Sequence, residues 1–79
     1  MLFKEAVSKR IYELCDIYNY SPNRLAEMSS IPPTTLQDLL MKKVANPSSY
    51  VIYKLCKTLN IEITEFYNSE LFKLSNIED

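Results

Sequence analysis

Apolar residues recur at helical intervals in successive stretches of the chain. Phe3, Val7, Ile11, Leu14 and Tyr18 follow one another at spacings of four and three, the core stripe of a helix from about Lys4 to Tyr18. Lys4, Lys9, Arg10, Glu13 and Asp16 fall largely outside that stripe, and Glu5 with Lys9 makes a favourably oriented i, i+4 pair. A second pattern opens at Ser21, a good N-cap, with Pro22 at the first helical position, where its missing N–H costs nothing. Leu25, Ala26 and Met28 then supply a buried face, which stops at Ser29 and Ser30. Ile31 follows as a plug. Pro32 and Pro33 open a third helix with Leu36, Leu39 and Leu40 inward, at i, i+3 and i+4. A fourth helix is capped by Ser48 and carries Val51, Ile52, Leu55, Cys56 and Leu59 on one face. Ile61 and Ile63 lead into a fifth with Glu65, Phe66 and Tyr67, where an early acid suits the helix dipole.

The stretch from Ser21 to Met41 is the organising unit. Two short helices joined by a tight turn leave Pro33, Thr34, Gln37 and Asp38 pointing outward, the geometry with which a polar helix enters a DNA major groove. The residues RLAEMSSIPPTTLQDLL, then Asn46-Pro47-Ser48, then IYKLCKTLNIEITEF at 52–66 resemble the helix-turn-helix domain of the phage-repressor (Cro-like, XRE-type) family of bacterial regulators. The resemblance implies an all-α, compact five-helix domain over residues 1–67. It also implies a third helix that reads DNA and binding as a homodimer in a bacterial or phage setting. Family members commonly carry glycine at the positions of Asn19, Ser30, Lys42 and Asn60. This chain has no glycine at all. Helices often end on a left-handed residue, so positive φ is predicted at all four. Asparagine tolerates it; Ser30 and Lys42 should carry strain on the order of 1 kcal/mol each. Pro32 also stands where the family usually places a Ser or Thr cap, and Glu62 likewise before the fifth helix.

The candidate DNA-binding residues follow from chemistry and from this resemblance. Gln37 can bond adenine bidentately, Asp38 can accept from cytosine N4, and Thr34 can touch a thymine methyl. Pro33 offers shape alone. Asp38 has an equal alternative as a local partner for Lys42, four residues on. Thr35 is the better placed of the two threonines to pack inward. Lys42, Lys43 and Asn46 either form a solvated turn or, as the matching loop does in the family, ride on the phosphate backbone. Arg24 can do the same, and Ser21 and Asn23 offer further donors near the start of the second helix. Tyr12 reads as partly exposed, and Tyr20 can staple the start of the second helix.

Charge qualifies this picture. The net charge is −1, unusual for a domain that binds nucleic acid. It is unevenly spread: residues 1–60 hold eight Lys/Arg against five Asp/Glu, net +3, and residues 61–79 hold one lysine against five acids, net −4. With a Debye length of about 8 Å, an acidic tail held away from DNA does not cancel a local positive surface.

Several classes are excluded. There is no histidine and there are only two cysteines, so neither a four-ligand zinc site nor a Ser-His-Asp or Cys-His arrangement is available. Without glycine no phosphate-cradling loop exists. No enzyme, metal or cofactor is therefore expected. No apolar run approaches the ~20 residues of a membrane span, and early charges argue against a signal peptide, so a cytoplasmic protein is expected. Cys15 and Cys56 read as buried reduced thiols. Residues 68–79 carry Leu71, Phe72, Leu74 and Ile77; they form an extended last helix folded onto the core, a dimerisation segment, or a frayed end. The alternative to a DNA-binding repressor is a protein-interaction module, adaptor or antitoxin-like, on the same fold.

Overall fold

The computed structural model describes residues 1–79 and contains five α-helices and no strand. Helix α1, Phe3–Tyr18, starts without a side-chain cap, because Leu2 has no acceptor to offer. Glu5 reaches back instead and accepts the Leu2 N–H at 2.9 Å. That bond, helped by the charge of Lys42, holds the Glu5 carboxyl below its ordinary value. Glu5 is thereby occupied, and the Glu5–Lys9 ion pair is not formed.

Helix α2, Pro22–Met28, is capped by the Ser21 hydroxyl, which accepts from the Arg24 N–H at 3.2 Å. Helix α3, Pro33–Leu40, begins after an uncapped Pro32. Helix α4, Ser49–Leu59, starts on Ser48, whose Oγ accepts from the N–H groups of Tyr50 and Val51. Helix α5, Ile63–Tyr67, has no side-chain cap at Glu62.

The chain turns four corners without glycine. Asn19, Ser30, Lys42 and Asn60 have φ of 61°, 55°, 62° and 58°. At each, N–H groups just past the helix return to carbonyls of its last turn, as Tyr20 does to Cys15 and Ile61 to Cys56. Ser30 is exposed and its side chain makes no hydrogen bond that compensates for the left-handed backbone. Ser30→Gly is therefore expected to raise stability by up to about 1 kcal/mol, read as a higher thermal midpoint with unchanged helical signal.

One core gathers all five helices. Val7, Ile11, Leu14, Leu25, Leu36, Ile52, Leu55 and Phe66 are each at most 2% exposed. Ile31 plugs the space after α2 as its position suggested, and Leu36, Leu39 and Leu40 all face inward. Two residues assigned to the core are not in it. Tyr18 is 37% exposed and Met28 48% exposed. Tyr18 lies at the end of α1, where its hydroxyl reaches Glu65 Oε2 at 3.2 Å. Met28 closes a seven-residue helix whose inward positions are already taken by Leu25 and Ala26.

Polar atoms tie the helices together. The buried Ser8 hydroxyl donates to the Leu40 carbonyl at 2.8 Å, fixing the end of α3 on α1. Ser29 and Thr58 share a hydroxyl–hydroxyl bond of 2.7 Å between the α2–α3 turn and α4. Arg10, which periodicity placed on the solvent side, is turned inward. Its Nε and Nη2 donate to the carbonyls of Phe66 and Glu65 at 2.7 and 2.8 Å, closing the C-terminal end of α5. Cys15 and Cys56 are both buried and unpaired, and burial pushes both thiols up from their ordinary value.

The tail is not a continuation of α5. It makes two single 3₁₀ turns, Glu70–Phe72 and Leu74–Asn76, and lies back along the start of α1. Phe72 packs its ring 4.9 Å from Tyr67, 5.9 Å from Phe3 and 6.1 Å from Phe66. The Glu78 N–H donates to the Met1 carbonyl and the Phe3 N–H to Asp79 Oδ1. Continuing α5 past Tyr67 at 1.5 Å per residue would carry Phe72 away from these rings, so the backbone tightens and turns back.

Candidate nucleic-acid interface

Helix α3 lies packed on α1 and α2 with its three leucines drawn into the core, which turns its opposite face to solvent. Pro33, Thr34 and Gln37 are consequently exposed, and Asp38 is half-buried. Six of the ten candidates line grooves to either side of this helix. On one side, a cleft of about 370 Å³ lies between α1, the start of α2 and α3. Ser21, Asn23, Pro33 and Gln37 all line it, joined by Tyr12, half exposed at 50%. Tyr12 sits nearly two turns before the end of α1 and off its core face. Periodicity marks such a residue as outward, and only the packing of α1 against α3 shows what it faces.

On the other side, a groove of about 330 Å³ brings Asp38 and Thr35 together with Asn46 and Ser48 at the entry to α4. Thr35 is half-buried, consistent with its methyl turning inward. Asp38 forms no ion pair with Lys42, so its carboxylate is available. The reason lies in the corner at Lys42. There the left-handed backbone ends the helix, and the Lys43 N–H closes on the Asp38 carbonyl at 2.9 Å.

Lys42 and Lys43 are exposed and carry no carboxylate partner. Arg24 is engaged: its Nη1 pairs with Glu27 Oε1 at 2.8 Å, with both side chains more than half in water. An exposed pair of this kind is worth about 0–1 kcal/mol and is readily exchanged for a phosphate. Arg24, Thr34, Lys42 and Lys43 line neither groove. They lie on open surface, where a large partner can reach them and a small one gains little. No group of three His, Cys, Asp or Glu side chains is placed to hold a metal ion. No helix is long and apolar enough to cross a membrane.

The sequence profile of the Cro/C1-type HTH DNA-binding domain matches residues 10–70. The chain belongs to this family. The match begins at Arg10 and ends at Glu70. It thus takes in most of α1, all of α2–α5 and the α5 clamp made by Arg10, and leaves out the residues that meet at the two ends of the chain. Within the Cro/C1-type domain the helix-turn-helix is α2, the turn at Ser29–Ser30 and α3. Searches of curated proteins and of solved structures return no match.

Proposed function

We propose that this Cro/C1-type domain is a sequence-specific transcriptional repressor that reads the major groove with α3 and acts as a homodimer. The observation that supports it best is the placement of donors on both flanks of one polar helix. Ser21, Asn23 and Tyr12 stand on one side, Asn46 on the other, and Lys42 and Lys43 follow on open surface after its C-terminal end. Such flanking donors fix a protein's register on the two phosphate strands without reading sequence.

Sequence is then read by α3. Gln37 pairs with adenine N6 and N7, Asp38 accepts from cytosine N4, Thr34 meets a thymine methyl, and Pro33 fits by shape. Few cations are available, so one copy binds modestly. Two copies on half-sites about one helical turn, ~34 Å, apart double the contacts. Leu74, the tail's most exposed apolar side chain at 94%, is where we place the contact between copies. Occupancy alone then blocks a promoter, which makes repression the output. The role is binding, not catalysis, in the cytoplasm of a bacterial or phage-infected cell.

Selection of the protein against random duplex DNA at two salt concentrations tests this reading. A palindromic site is expected to emerge, with affinity falling steeply as salt rises. Gln37→Ala is expected to cost about 1–3 kcal/mol on that site and to relax one base position. Lys42→Ala should instead weaken all sequences alike and lower the salt slope by about one. Tyr12→Phe should weaken binding with the slope unchanged, since a neutral donor releases no counterion. Absence of any enriched site, with no retention of DNA even at low salt, would sink the proposal.

A further inference from the structure

On the flank formed by α2 and α4 lies a second surface that the DNA reading does not use. Met28, Tyr50 and Tyr53 are 48%, 65% and 52% exposed. They border a groove of about 370 Å³ between the α2–α3 turn and α4, with Lys54, Lys57 and Thr58 along its α4 wall. The outward face of a short amphipathic helix is ordinarily polar, yet two tyrosines there, facing a methionine, leave about half or more of their surface in water.

The chemistry of the groove is one-sided. No acidic residue lines it. Lys54 and Lys57 form no ion pair, and the Lys54 ammonium sits 4.8 Å from the centre of the Tyr50 ring. The protein as a whole is acidic, so this is a local positive site with aromatic walls. Tyrosine and methionine are the residues that protein interfaces favour, the first as a rigid anchor and the second as an adaptable one. Two lysines are too few to hold a polyanion by charge alone, and a duplex backbone has no use for the exposed methionine or the apolar faces of the tyrosine rings. A peptide satisfies both halves of the site.

We propose that the α2–α4 groove is a docking site for an acidic protein segment carrying an aromatic or large aliphatic anchor. The anchor enters between Met28 and the tyrosines, and flanking Asp or Glu side chains meet Lys54 and Lys57. Charge complementarity gives such a contact its selectivity and its rate, while the anchor gives it affinity. A DNA-bound domain would thereby offer a protein partner a face separate from α3.

The test is selection of a random peptide display library on the 79-residue chain, followed by fluorescence anisotropy with a synthetic copy of the most enriched peptide. Acidic sequences around one aromatic or leucine are expected to be enriched, and binding should weaken as salt rises. Tyr53→Ala, and separately Lys54→Glu with Lys57→Glu, should each lower affinity at least about tenfold. All three residues lie on the surface of α4, and circular dichroism with thermal melting verifies that each variant stays folded. Enrichment without acidic residues, or equal binding by the folded variants, overturns the proposal. So does loss of duplex DNA binding in the lysine variant without any selected peptide, since the face then belongs to the phosphate backbone.

Discussion

Phe66→Ala is expected to remove about 3–5 kcal/mol of stability, the largest effect of any single truncation in this chain. Phe66 is 0% exposed. Its ring lies edge-on to Tyr67 at 5.0 Å and 6.1 Å from Phe72, so it joins the helical core to the tail. A domain of this size has about 4–12 kcal/mol in hand, by the usual stability per residue. The variant should therefore unfold at a much lower urea concentration, and at the low end of that range it is largely unfolded at 25 °C and binds DNA weakly for that reason alone. Urea unfolding followed by circular dichroism measures the loss. Phe66→Leu, which refills most of the volume, should recover the greater part of it. If Phe66→Ala unfolds at the wild-type midpoint, the core is not organised around this ring.

Arg10→Met should cost about 2–4 kcal/mol without touching the DNA face. Helix α5 is five residues long, too short to persist alone, and its last carbonyls need partners. Arg10 supplies two charge-assisted bonds to them from a side chain only 12% exposed. Methionine keeps the stem's packing and removes both donors. Lysine cannot restore them, because one ammonium does not reproduce the planar fork that spans two successive carbonyls. Arg10→Lys is therefore expected to behave nearly as badly as Arg10→Met in the same unfolding measurement. At low temperature, where the folded fraction is high, both should retain DNA affinity. A lysine variant as stable as wild type would show that charge at the helix end, and not the fork, is what α5 requires.

These two residues mark what the sequence disclosed and what it withheld. Phe66 could be placed in the fifth helix, but nothing in the pattern singled it out from Ile63 and Tyr67 as the buried residue. The four corners were legible through the resemblance, which places glycine at Asn19, Ser30, Lys42 and Asn60, together with the left-handed residue on which helices commonly end. Arg10, Tyr12 and Tyr18 were not. Periodicity gives the direction in which a side chain leaves its helix, but a long side chain can bend back, and its partner is fixed only by how helices cross. Met28 failed for a related reason: a short helix has fewer inward positions than its apolar residues suggest. The tail was opaque because Leu71, Leu74 and Ile77 recur at a spacing of three that an α-helix also allows, while the chain makes two separate 3₁₀ turns there. As for the DNA face, residue types named its candidates, but only the fold set Ser21, Asn23, Pro33 and Gln37 on one flank of α3, Asp38 and Asn46 on the other, and the rest on open surface.

The seam between the ends of the chain gives the molecule two grades of cohesion. Residues 1–3 meet residues 76–79 through a handful of bonds that are mostly in contact with water. Contacts so distant in sequence form late in folding, and with so little buried beneath them they also part early. The tail should therefore peel away as a separate unit many times for each time the helical body melts. Each such opening briefly bares the rings of Phe3, Tyr67 and Phe72, so the surface this protein presents fluctuates on a clock that its global stability does not set.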